Sequence, residues 1–298
     1  MLIIGIFEVK SSETYAESLY VLKIVSVVYD DSGSMEGEKW AYANYAMQAF
    51  CGMLNEEDRL FITYMSESQL YRDYKPSEID LSSSGLQGSV DSIRKHSHSN
   101  STPYNSVKIA YDKLTGIEDI NPNTQYWLVI ITDGQFDELR SIGGQRAKDT
   151  LNADLMNYAK SVMPNGTHPQ ISFFSIGSSV ITPDEDINAG IYLYHAENAG
   201  EISKAMSAIA DRVSGRTRLG SADIIQVNDR TIKVESPIPL LNIVAFVQKT
   251  KATLTNAVYE NETTIPIVRK VSLNFPKYST LVGGAFLIGD STDRKSVV

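Results

Sequence analysis

The chain has 298 residues, more than one typical domain needs, with 42% hydrophobic and 21% charged residues, an ordinary globular balance. A net charge of −9 and a pI near 5.0 argue against a nucleic-acid backbone partner, which calls for clustered Lys and Arg, and no basic run marks a membrane-surface patch. The single cysteine, Cys51, excludes an internal disulfide, and no apolar stretch has the length of a bilayer span.

In chain order, residues 1–7 (MLIIGIF) are apolar but lack the basic start, the length and the small-residue cleavage site of a signal peptide. They read as a stray first strand or an artefact of the start site, within an N-terminal extension over residues 1–19. Residues 21–29 are rich in β-branched residues and apolar on both faces, which predicts a central parallel strand. That strand runs into Asp30-Asp31-Ser32-Gly33-Ser34. Alternate residues of an extended segment project the same way, so Asp30, Ser32 and Ser34 converge on one small hard cation while Asp31 points elsewhere. Residues 38–54 carry Trp40, Ala43, Met47, Phe50 and Leu54 at helical steps, predicting one stripe against a sheet, with Cys51 a buried inert thiol.

Residues 58–66 read as a second strand, residues 69–75 as an antiparallel edge, and Pro76-Ser77-Glu78 as the opening of another helix. The polar connection 95–102 (KHSHSNST) is expected to be a flexible loop with His96 and His98 in solvent. Ser101-Thr102-Pro103 precedes a helical pattern at 104–114, and Asn121-Pro122-Asn123 is a turn. Gln125–Thr132 is a second near-continuous apolar strand that ends in Asp133-Gly134. Helical character over 143–160 is strongest from 153 to 163 and stops at Met163-Pro164-Asn165-Gly166. A strand at 171–177 follows, then a strand and closing helix over 191–210, with His195 expected to be packed.

Ligands of an open parallel sheet gather at the carboxyl ends of its strands. Asp30 and Asp133 occupy two such ends, and Thr102 lies in a loop that reaches the same edge. DxSxS after the first strand, a Thr opening a mid-domain helix and Thr132-Asp133-Gly134 after a central strand resemble the von Willebrand factor A (vWA) family, over roughly residues 20–216. The resemblance implies an α/β fold: a doubly wound, mostly parallel six-stranded sheet, Rossmann-like, with helices on both faces. It also implies a metal-ion-dependent adhesion site in which Asp30, Ser32, Ser34, Thr102 and Asp133 match all five positions. A divalent ion held there keeps a replaceable coordination position that an Asp or Glu of a protein partner completes. Mg²⁺ fits such a sparse oxygen set best, with Mn²⁺ or Ca²⁺ as substitutes. Gln135, Phe136 and the 96–101 loop are candidates for the rim, as is Tyr104.

Other readings compete. Ser34 and Thr102 are also helix-capping residue types. An aspartyl-phosphate mechanism would need a second Asp where Ser32 stands, and Gly33, Gly37 and Gly134 make no phosphate-binding fingerprint. The expectation is therefore a binding module and not an enzyme. Its rival is an intracellular assembly factor that docks on a MoxR- or chelatase-type ring ATPase.

After Gly215, short β-prone runs at 224–227, 232–235, 243–250, 254–259, 268–275 and 281–288 predict a smaller all-β, sandwich-like module over 217–292. That module favours an extracellular or membrane-anchored setting. Residues 293–298 (DRKSVV) can be encoded by the start of a common sequencing-library adapter. This tail is expected to be non-native and the β-module cut short.

Overall fold

The computed structural model describes residues 4–8, 21–70, 73–97, 101–118, 121–134, 136–178, 180–216, 218–219, 222–235, 242–251, 253–259 and 262–289. His98, Gln135 and the 293–298 tail of the sequence reading lie outside them. In chain order the strands and helices are β1 (Ile4–Glu8), β2 (Lys23–Tyr29), α1 (Glu38–Met53), β3 (Arg59–Tyr64), α2 (Met65–Leu70), β4 (Ser77–Ile79), α3 (Leu86–Lys95) and α4 (Asn105–Thr115). They continue as β5 (Gln125–Thr132), α5 (Asp137–Ile142), α6 (Gly144–Lys160), β6 (Gln170–Ile176), β7 (Ile191–Ala196) and α7 (Ala199–Ser214). The last part holds β8 (Ile224–Asn228), β9 (Thr231–Glu235), β10 (Asn242–Gln248), β11 (Ala257–Tyr259), β12 (Ile267–Phe275) and β13 (Tyr278–Gly289).

The central sheet has six strands in the order β4-β3-β2-β5-β6-β7, all parallel except the edge strand β4. The expected α/β architecture is present. The order in which strands are added reverses between β2 and β5, because the chain first winds outward through β3 and β4 and then restarts beside β2. Such a reversal opens a crevice at the carboxyl ends of the two middle strands. Every residue of β2 is buried, as is all of β5 beyond Gln125. Strands covered on both faces need apolar side chains on both, which is why 21–29 and 125–132 were readable as continuous apolar runs.

Three local expectations are corrected. The antiparallel edge is Ser77–Ile79, not residues 69–75, and Met65–Leu70 is a short helix. The helix expected to open at Pro76 begins at Leu86, since 77–79 pairs with Leu60, Phe61 and Ile62 of β3. The third correction concerns α1, whose buried residues go well beyond one stripe. The outer side of α1 is covered by β12 and β13, so Val271, Leu273, Leu281 and Ala285 share one core with Ala46, Phe50 and the sheet.

The β-rich part forms two sheets, β10-β13-β12 and β11-β1-β9-β8. Their facing sides bury Val234, Val247, Ala257, Phe286 and Ile288. Alternation along β13 sends Leu281 and Ala285 toward α1 and Phe286 and Ile288 into this second core. All six β-runs of the sequence reading appear as strands. The surprise is β1, which lies between β9 and β11, parallel to both. The apolar N-terminal run therefore pairs within the sheet built from the far end of the chain.

Side chains fasten the β-sheets to the α/β unit. The buried Arg269 of β12 donates from Nη1 to the carbonyl of Leu81 at 2.8 Å and from Nη2 to those of Gly52 and Leu54, where α1 ends. A guanidinium is well matched there, because the carboxyl end of a helix carries unpaired carbonyls and partial negative charge. Gln48 of α1 meets the backbone of Asn274 in both directions, Nε2 donating to its carbonyl at 3.0 Å and Oε1 accepting from its N–H at 3.3 Å. Gly52 permits the close approach, since a Cβ there would lie 2.8 Å from Ala285 Cβ.

Candidate metal centre

Asp30 ends β2, and its N–H still donates to the carbonyl of Ile131 at 3.0 Å, which extends the β2–β5 pairing by one step. Its carboxylate is held on both oxygens. Oδ1 accepts the Ser32 N–H at 2.9 Å; Oδ2 accepts the Thr132 hydroxyl at 2.8 Å and the Asp133 N–H at 3.2 Å. From Ser32 the bonds continue outward. Its hydroxyl lies 2.9 Å from that of Ser34, which donates to Asp133 Oδ1 at 2.6 Å. Asp30, Ser32, Ser34 and Asp133 thus form one closed hydrogen-bonded ring across the crevice between β2 and β5.

Ser34 is exposed and Asp30 wholly buried, so the ring opens to solvent on the Ser34 side. Asp133 Oδ2 receives the ammonium of Lys39, from the first turn of α1, at 2.5 Å. Burial pushes the Asp30 carboxyl above its ordinary pKa; the Ser32 and Thr132 hydrogen bonds oppose this, and the Asp133 charge adds to it. Two carboxylates packed this closely in a low-dielectric crevice favour any cation that can reach them.

Thr102 stands at the same sheet edge but is fastened differently. Its hydroxyl donates to Asp137 Oδ1 at 3.1 Å, its N–H to Asp137 Oδ2 at 3.0 Å, and its carbonyl accepts the Asp137 N–H at 2.9 Å. Asp137 opens α5, four residues beyond Asp133. Thr102 is thereby clamped to the segment that leaves Asp133, and Asp137 is a member of the site's frame that the sequence reading did not single out.

Asp31 turns away from the ring, as its alternation requires. It is buried and accepts from the Ser66 N–H at 2.8 Å and the Ser66 hydroxyl at 2.6 Å, with His96 Nε2 2.8 Å from Oδ2. This corrects the expectation for His96, whose side chain is only 15% exposed. Helix α3 runs to Lys95 and delivers His96 onto Asp31, with its ring stacked 3.6 Å from that of Tyr64. The rim assignment of Phe136 also fails: it is buried and packs edge-on against Tyr104 at 5.1 Å.

His195 differs from expectation in the opposite sense. It is exposed, with Nδ1 2.8 Å from the Ser175 hydroxyl and Nε2 2.9 Å from Glu197. This Ser-His-Glu line is poorly placed for nucleophilic chemistry. Ser175 is buried within β6 and also donates to the Tyr194 carbonyl at 3.3 Å.

Among the described residues no three His, Cys, Asp or Glu side chains gather in a metal-holding group. The ring offers two carboxylates and two hydroxyls, a hard-oxygen set that fits Mg²⁺ with water completing its shell and does not suit a site built on imidazole or thiolate. The ammonium on Asp133 marks where positive charge is accommodated.

No family model and no curated protein match the sequence. Several solved structures resemble the fold at low identity. A von Willebrand factor type A protein from Catenulispora acidiphila aligns at 9% identity and TM-score 0.45 over 90% of this chain and 57% of that one. Proximal thread matrix protein 1 from the mussel byssus, solved with a zinc-occupied MIDAS motif, aligns at 11% and 0.41 over 65% of this chain and 46% of that one. The pilus adhesin SpaC from Lactobacillus rhamnosus GG in its open conformation aligns at 10% and 0.41 over 91% of this chain and 39% of that one. The chain thus spans about half the length of the structures it resembles, or less.

Proposed function

We propose that the α/β unit is a vWA-type interaction module that holds a divalent cation, Mg²⁺ by preference, at the crevice between β2 and β5 and uses it to grip an acidic residue of a protein partner. The observation that carries this reading is the hydrogen-bonded ring of Asp30, Ser32, Ser34 and Asp133 where the strand order switches between β2 and β5. Asp30, Ser32, Ser34, Thr102 and Asp133 would hold the ion, directly or through water. The bound ion supplies a positive centre with an exchangeable position. The protein's own residues do the rest. The buried Asp30 fixes the loop from below, the serine hydroxyls add neutral oxygens, and the Asp137 clamp keeps Thr102 at the sheet edge. Neutral hydroxyls leave more of the ion's charge uncompensated than a third carboxylate would, and that residual charge attracts a visiting Asp or Glu. Recognition of this kind needs no bond making or breaking, so the module is read as non-catalytic.

An exchangeable position has a direct readout. Mn²⁺ added to the chain should raise the relaxation rate of solvent water protons through the water it keeps, and glutarate, as a carboxylate probe, should lower that enhancement by displacing the water. Asp133→Asn should give no enhancement above free Mn²⁺. Enhancement that glutarate leaves unchanged would speak for a closed, purely structural ion and against a gripping site.

A further inference from the structure

We infer that Lys39 is a tethered counter-cation of this site, whose ammonium neutralises Asp133 in the metal-free protein and must leave before a divalent ion is fully bound; the inference rests on the metal-site reading above. Lys39 sits in the first turn of α1, where the positive end of the helix dipole disfavours a cation. A lysine at that position gains from a compensating anion, and it has one. Its Nζ lies 2.5 Å from Asp133 Oδ2, while the other oxygen of that carboxylate takes the Ser34 hydroxyl at 2.6 Å. Asp133 is thus engaged on both oxygens, with its side chain fully buried and the Lys39 side chain 40% exposed.

That asymmetry decides which group moves. Asp133 is fixed at the end of β5, whereas Lys39 reaches in from solvent on a flexible four-carbon stem. Mg²⁺ sits about 2.0–2.1 Å from a carboxylate oxygen. An ammonium on the same carboxylate would then stand within a few ångströms of a dication, the two positive groups sharing a single negative charge. The ion and the ammonium compete, and the stem swings outward as the ion enters. Lys39 therefore lowers affinity for the ion, and the released ammonium comes to lie at the mouth, where it becomes a second positive group for an acidic visitor.

The test is Mg²⁺ binding by calorimetry on the full chain, comparing wild type with Lys39→Gln, Lys39→Arg and Asp133→Asn, with circular dichroism to show that each is folded. Lys39→Gln should bind Mg²⁺ about five-fold more tightly than wild type, the scale of a half-exposed ion pair, and Lys39→Arg should stay near wild type because it keeps the charge. Equal or weaker binding by folded Lys39→Gln, with wild type still binding, overturns the counter-cation role and leaves the metal site standing. If wild type and Lys39→Gln both fail to bind Mg²⁺ while folded, the metal site itself is wrong and this inference goes with it. Asp133→Asn that binds as well as wild type overturns both.

Discussion

Mg²⁺ should raise the melting temperature of the wild-type chain and have no such effect on Asp30→Ala or Asp133→Ala. The size follows from linkage: an ion present at a hundred times its dissociation constant stabilises the folded state by about 2.7 kcal/mol. For a chain of this size each kcal/mol moves the midpoint by about 2–4 °C, so the expected rise is about 5–10 °C, reversed by chelator. Asp30 is buried and accepts three hydrogen bonds, so Asp30→Ala should also melt lower without metal. Asp133→Asn separates the two effects, because it keeps an acceptor for Ser34 while removing the charge. Variants that respond to Mg²⁺ as wild type does would place the ion elsewhere in the molecule.

Arg269→Met should cost about 2–5 kcal/mol in urea unfolding, since each buried carbonyl left without its donor costs about 1–3 kcal/mol. Three carbonyls, those of Gly52, Leu54 and Leu81, lose a shared donor. Water has little access to replace it, since Arg269 is only 3% exposed. Burial pulls the guanidinium pKa below its ordinary value, and the nearby Glu56 and Asp58 charges raise it again. Arg269→Lys should recover only part of the loss, because one ammonium cannot span carbonyls on two separate segments. Hydrogen exchange gives the location: protection should fall at the end of α1 and along β12 before the rest of the central sheet. A loss under about 1 kcal/mol would mean that apolar packing alone holds the β-sheets in place.

The parts of the architecture that could be read in the sequence are those whose environment is uniform. β2 and β5 are buried on both faces, so their composition alone identified them, and the carboxylates that end them followed by position. Environments created by distant segments were not readable. α1 looked like a helix with one apolar stripe because nothing local announces that β12 and β13 cover its other side. His96 looked like a loop residue because its place depends on Asp31 and Tyr64, from two other elements. Two signals were nevertheless available. Arg269 is in phase with Val271 and Leu273 on the buried side of an alternating strand, an anomalous site for a charge that asks for a partner. Lys39 likewise stands at the wrong end of a helix for a cation, and Asp133 supplies the reason. The pairing of β1 with β9 and β11 had no such local mark: a short, mostly apolar strand is compatible with many neighbours.

That last pairing has a consequence for how the chain is made. The strand at Ile4–Glu8 leaves the ribosome more than two hundred residues ahead of its neighbours Thr231–Glu235 and Ala257–Tyr259. At about 5–20 residues per second, it waits some tens of seconds with its backbone donors unmatched while the doubly wound sheet assembles between the two. The α/β unit is, in effect, an insert that must be made before its surroundings can close, and β1, made ahead of it, finds its place only afterwards.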